Sequence, residues 1–233
     1  MKYSITINGV SSTTIQGLEI SYLPPITKPL MRNEIEEIDG RDGDLITQLG
    51  YAAYDKEIEI GLWGSYDINA IISFFNSSGQ VTFSNENDKF YYFTILSQID
   101  FEKLLKFKRA TVSFHCQPFK YPISESPITL TAGDNTVTNA GNIYAKPILS
   151  IVGSGTIGVS LDGEQILSID MSNNTKIVLD MTKLEAYDPD NGTLLNRIVT
   201  GDYNLLTINS GSNTLNLDGT ITSATITNYS RWL

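Results

Sequence analysis

The chain has 233 residues, 41% of them hydrophobic and 18% charged, which is apolar enough for real cores and argues against disorder. Its formal net charge of −10 offers no basic footprint for nucleic acid and no cationic face for an anionic membrane. A single cysteine excludes an intramolecular disulfide and leaves the redox compartment open.

The N-terminal residues alternate polar and apolar without a continuous apolar core, so no signal peptide is expected. No later run approaches the roughly 20 apolar residues of a spanning helix, and a soluble, intracellularly made protein is expected. Tyr3, Ile5 and Ile7 share one face of a first strand, with Gly9 in the following turn, and Ile15, Leu18 and Ile20 continue the pattern.

The stretch Leu23–Tyr54 breaks it. Pro24, Pro25 and Pro29 remove amide donors and fix φ, which predicts an extended arm over Leu23–Leu30. Met31–Ile38 and Leu45–Leu49 then flank Asp39-Gly40-Arg41-Asp42-Gly43-Asp44, and two Asp-Gly pairs between apolar-containing runs predict a hairpin. Arg32, Glu34, Glu36, Glu37 and Asp42 make it too polar to bury on both faces. Met31, Ile35, Ile38, Leu45, Ile46 and Leu49 are expected to give it one apolar side. Such an element is either a partner-binding arm or a surface excursion covering its own domain.

Lys56–Leu62 alternates as a half-buried strand. Ile68, Ile71, Ile72 and Phe75 then fall at helical spacing, with Ser65 or Asp67 as N-cap and Gly79 as C-cap. This is the one helix the sequence predicts, and its stripe is expected to pack on a sheet. Strands follow at Val81–Phe83 and Phe90–Ile95, where the aromatic residues suit core and interface better than a stacking platform for bases. Ala110, Val112, Phe114 and Cys116 line one face of the next strand, and Arg109, Thr111, Ser113 and His115 the other. Pro118, Pro122 and Pro127 cluster where this pattern stops, which puts a domain boundary near Ser124, between a unit 1–124 and a unit 125–233.

The second half is rich in Thr, Asn, Ser and Gly. Short alternating runs end at turn signals: Ile157/Val159/Leu161 before Asp162-Gly163, Ile177–Leu179, Leu215/Leu217 before Asp218-Gly219, and Ala224/Ile226. That texture predicts a β-sandwich or jelly roll. Gly133-Asp134-Asn135-Thr136-Val137 with Gly141 is echoed by Gly211-Ser212-Asn213-Thr214-Leu215 with Gly219, through either a shared turn-into-strand device or duplication.

The chemistry is mostly exclusion. His115 and Cys116 are adjacent, but strand neighbours point to opposite faces, so they form no nucleophile–base pair, and one His with one Cys makes no zinc set. Calcium-loop readings from Asp39 and from Asp188 fail, the first at Arg41 and Gly43, the second at Val199 where a bidentate Glu belongs. There is no phosphate-binding glycine loop and no G-x-S-x-G. No catalysis, cofactor or metal is expected. Carboxylates are plentiful enough to leave a glycosidase-like pair open. Trp63 and Trp232 are read as core or interface residues rather than sugar platforms.

In order, the residues resemble the distal tail protein (Dit) family of long-tailed bacteriophages. The carriers are the first strand, the proline arm into Ile38-Asp39-Gly40-Arg41-Asp42-Gly43, Tyr54 before the Glu/Ile strand, the helix, and Phe114–Tyr121. In the second half they are Asn139–Asn142 with Lys146-Pro147-Ile148, Gly153-Ser154-Gly155, Asp188–Asn191, Gly201-Asp202-Tyr203, Gly211–Asn213 and Arg231-Trp232. The resemblance implies an all-β chain with one helix: an N-terminal β-sandwich with a long belt hairpin, and a galectin-like C-terminal β-sandwich. It implies a homo-hexameric ring joining the tail tube to tail-tip (Tal-like), receptor-binding or baseplate proteins in the virion tail, the chain being made in the host cytoplasm. The expected subunit contact is Ile35, Ile38, Asp39, Arg41, Asp42, Leu45 and Leu49. Some relatives carry carbohydrate-binding insertions, for which this chain has no spare length. The readings left beside a structural hub are a carbohydrate-binding protein using the second sandwich, with Trp232, and a tail-associated wall hydrolase.

Overall fold

A computed structural model of the chain describes residues 3–227 and 230–233; Met1 and Lys2, at the head of the segment read for a leader, lie outside them. The chain divides into two compact units, one running to Ile123 and including Leu233, the other Ser124–Trp232.

In the first unit the elements are β1 (Ile5–Ile7), β2 (Val10–Ser11), β3 (Leu18–Tyr22), β4 (Met31–Glu37), β5 (Asp44–Tyr51), β6 (Tyr54–Leu62), α1 (Ile68–Phe75), β7 (Ser78–Phe83), β8 (Lys89–Thr94), α2 (Phe101–Phe107) and β9 (Arg109–Pro122). Seven strands form one antiparallel sheet in the order β2-β1-β7-β8-β9-β6-β3. A bridge between Tyr3, just ahead of β1, and Ile20 of β3 closes the sheet from β1 round to β3, so it rolls around a single core. The alternation explains the rolling. Ile5 and Ile7, Ile58 and Ile60, Val81 and Phe83, and Val112, Phe114 and Cys116 are all buried on the inner face. Phe114 is the centre of that core, with the rings of Phe93, Phe83 and Phe75 at 5.1, 5.9 and 6.5 Å.

The expected helix is α1, capped by Asp67, whose carboxylate accepts the N–H groups of Asn69 and Ala70. Gly79 is not its C-cap. It lies in β7 at φ +136°, where a Cβ would meet the Asn8 side-chain oxygen at 2.2 Å. The expectation of one helix is also corrected, because α2 is a second. Asp100 caps it and only Leu104 is buried, so seven residues show too little amphipathic repeat to stand out.

The second unit comprises β10 (Ile128–Leu130), β11 (Gly133–Asn139), β12 (Ile148–Leu161), β13 (Glu164–Met171), β14 (Lys176–Asp180), β15 (Glu185–Tyr187), β16 (Val199–Gly201) and β17 (Gly211–Thr227). Two strands are far longer than the short runs expected. β12 pairs with β14 through Ile148–Val152 and with β13 through Gly155–Leu161, and β17 follows it along both stretches. The register breaks between them are where both strands bend. There a Cβ on Gly153 would meet the Thr220 carbonyl at 2.5 Å, and one on Gly219 the Thr156 carbonyl at 2.5 Å. Asp218-Gly219 is therefore a bend inside β17 and not the turn its composition predicts, whereas Asp162-Gly163 is the turn between β12 and β13. The core of this unit draws on both stretches, from Leu149 and Ile151 to Ile157 and Val159.

The repeated Asn-Thr motif has a physical account. β11 and β17 pair with Asn135 opposite Leu215 and Val137 opposite Asn213. Asn135 exchanges hydrogen bonds with the Thr131 backbone and donates to the Leu215 carbonyl; Asn213 does the same with Asn209 and donates to that of Val137. One side chain closes the approach to each strand and pins it to the other.

His115 and Cys116 lie on opposite faces of β9. Cys116 is fully buried, and burial pushes its thiol up from the ordinary 9.0 to about 12. A buried neutral thiol contributes stability that is complete below pH 9 and is lost as pH rises toward 12. Thermal melts should show Cys116→Asp losing about 3 kcal/mol or more through an uncompensated buried charge, and Cys116→Val losing less of its stability than the parent between pH 9 and 12. His115→Ala removes only an exposed pair with Asp55 and should cost under about 1 kcal/mol. A Cys116→Asp protein that melts like its parent would contradict this face assignment.

Candidate functional site

The arm from Leu23 is held at its root by two side chains from elsewhere in the unit. Leu23 and Pro24 are buried. Asn85 donates to the Pro24 carbonyl at 3.0 Å, and Lys56 of β6 donates to the Pro25 carbonyl at 3.0 Å. Lys56 is almost fully buried, with its ammonium 4.9 Å from the Tyr91 ring centre and 5.4 Å from that of Tyr54. Burial holds its pKa below the ordinary lysine value. Nearby, Glu86 takes the Tyr91 hydroxyl at 2.6 Å and the buried Lys120 ammonium at 2.9 Å, so this charge too is paired. Where the chain returns, the Ala52 N–H donates to the Leu30 carbonyl and Tyr51 packs edge-on against Phe119.

From this root β4 and β5 project as a separate two-stranded sheet. Every residue of the hairpin from Arg32 to Leu49 is exposed. The tip turns through Ile38–Gly43, with Gly40 and Gly43 at φ +80° and +78° and the Arg41 N–H donating to the Ile38 carbonyl. This places Ile38, Asp39, Arg41 and Asp42 together at the tip.

The single apolar side expected of the hairpin is corrected by its register. Ile35 is directly opposite Ile46, while Leu45 is opposite Glu36, and opposed residues share a face. Ile35 and Ile46 therefore lie on one face and Leu45 on the other. Leu49 sits at a bulge, between the pairs Asn33–Gln48 and Arg32–Gly50. The six residues of the tip pair Glu37 with Asp44 and so set the parity of the whole ladder.

Sequence reasoning missed Lys56 and Asn85. The signal for Lys56 was present, since it has the same parity as Ile58 and Ile60 and must point inward with them. Asn85 carries no such signal, because its partner is a backbone carbonyl distant in sequence.

The chemistry available elsewhere is sparse. His115 Nδ1 lies 2.7 Å from Asp55 Oδ1, a pair that the register of β6 and β9 creates, with Cys116 on the far side of the strand. An open groove of about 670 Å³ beside α1 is lined by Ile72, Phe75, Asn76, Thr94, Ile95 and Phe101, among others, and holds no titratable side chain. Among the described residues no three His, Cys, Asp or Glu side chains gather as a metal site, and no helix is long and apolar enough to cross a membrane. Trp63 is exposed, and Trp232 half-buried.

No protein-family model and no curated protein matches the sequence. Among solved structures the fold matches that of SPP1 Dit (gp 19.1), described as a paradigm of hub adsorption apparatus in Gram-positive infecting phages. The TM-score is 0.75 at 18% identity, covering 100% of both chains. Chains of the phage P2 baseplate in its activated conformation, with Ca and with Sr, match at TM-scores of 0.44 and 0.43 and 11% and 13% identity, each over 97% of this chain and 96% of that one. The chain has the fold of SPP1 Dit throughout its length.

Loosening the root should loosen the arm and leave the rest in place. Lys56→Met with Asn85→Ala is expected to speed proteolytic cutting within residues 24–30 severalfold, with the second unit still resistant. Equal cutting rates in variant and parent would show that these two side chains do not hold the arm.

Proposed function

We propose that this chain is the structural hub of a bacteriophage tail tip or baseplate. Six copies close a ring through the first unit, each hairpin clasping a neighbouring copy. The galectin-like second unit is left for attachment. The ring joins the tail tube to tail-tip (Tal-like) and receptor-binding or baseplate proteins in the virion tail. Its work is positional and not catalytic.

The observation that carries this reading is the match over the full length of both chains to a protein described as a hub of the phage adsorption apparatus. The hairpin supports it independently. An isolated two-stranded element is marginal in water, and this one keeps Ile35 63% and Ile46 58% exposed. A head-to-tail ring offers every hairpin a cover and leaves no free end. The prolines and the clamped root leave the arm little freedom to lose on docking.

Replacing Asn33–Gln48 by a short Gly-Ser link should give a folded monomer with an intact second unit. Ile35→Asp with Ile46→Asp, on the shared face, should do the same. Light scattering and negative-stain images decide the matter, and full rings from the deleted chain would overturn the clasp. The assembled protein should also fail to retain duplex DNA in a low-salt gel shift, because a net charge of −10 per copy repels phosphates. Saturable duplex binding would contradict this expectation.

A further inference from the structure

The charge of the first unit is unevenly divided. Between Met31 and Tyr51 the hairpin carries six carboxylates and two arginines, and none of these carboxylates forms a salt bridge among the described residues. Glu37 and Asp44 are directly opposed across the ladder, an arrangement of like charges that costs stability unless a cation arrives from outside. They lie two residues from the Ile35–Ile46 pair, on the same face.

The complementary surface is α2 and its surroundings. This helix buries only Leu104, leaving Leu105 40% and Phe107 63% exposed. Lys103 and Lys106 form no salt bridge among the described residues, and Lys106 lies over the Phe107 ring. Lys108, which follows, lies 4.7 Å over the Tyr66 ring. Its carbonyl accepts the Leu62 N–H, next to Trp63, which is 78% exposed. Exposed aromatic residues interleaved with cations are the composition of a binding hot spot, here in a chain that is otherwise strongly acidic.

We propose that the α2 surface is the seat of the hairpin of a second copy. Ile35 and Ile46 pack on Phe107, which shares a side of α2 with Lys103 and Lys106, and these two lysines answer Glu37 and Asp44. This rests on the ring reading above and names the contact that closes the ring. Both surfaces are exposed on the same copy, so neither satisfies the other within one chain. Two different, complementary patches give a heterologous contact, the kind that generates rings. The charged pairs orient the docking and the apolar residues hold it.

The test uses the full chain. Lys103→Glu with Lys106→Glu, and separately Glu37→Lys with Asp44→Lys, should each convert rings to folded monomers by light scattering. The four changes combined should restore rings. A second measurement is independent of charge: Ile35→Cys with Phe107→Cys should form disulfides between copies and give a ladder of covalent oligomers on a non-reducing gel, Cys116 being buried and silent. Rings that survive the α2 reversal but not the hairpin deletion would overturn this seat and leave the ring reading standing. Failure of the combined variant to reassemble, or absence of the disulfide ladder, would overturn the seat as well. A parent chain that stays monomeric would remove both readings.

Discussion

A hairpin without a core of its own is only as well placed as its root. Here the root is fixed by a lysine taken out of water. Lys56 gives up hydration to hold one carbonyl of the arm, and rings around it replace part of what water supplied. The arrangement is costly when incomplete: without the Pro25 carbonyl the buried ammonium loses its hydrogen-bond acceptor and is left with aromatic faces and the nearby Glu86 charge. Arm and sheet are therefore coupled, each completing the other. The proline-fixed backbone leaves few other conformations to compete.

The same logic runs through the rest of the first unit. Several of its polar side chains are spent on structure. Glu86 joins β9 to the Tyr91 hydroxyl, and Asn8 closes the edge at Gly79 and Gln80. The His115–Asp55 pair lies open on the outer face of a strand. What the unit offers to the outside is shape and charge: an acidic projection and a basic, aromatic-rich surface.

Much of the fold was legible because strand alternation is a local signal. The buried set of β6 and β9, the opposite placement of His115 and Cys116, and the Asp67 cap follow from residues that touch or nearly touch in sequence. What failed depended on pairing. The faces of the hairpin were misread because its parity is set across the tip, by which residues of the two strands pair. Gly79 and Gly219 look like a cap and a turn in isolation. Their roles are set by Asn8 and by the Thr156 carbonyl, each some 60 or more positions away. α2 was overlooked because a helix that buries one side chain leaves almost no periodic trace, and the same exposure makes it available to a partner.

The two long strands of the second unit have a mechanical consequence. β12 and β17 run unbroken through both stretches of that unit, bending at Gly153 and Gly219 but never ending there. Pulling the two stretches apart would have to stretch covalent backbone, and sliding one strand along the other would have to shear a whole ladder of hydrogen bonds at once. Two sheets joined only by loops would yield to far smaller forces. A unit strung in this way transmits load along its strands and does not peel.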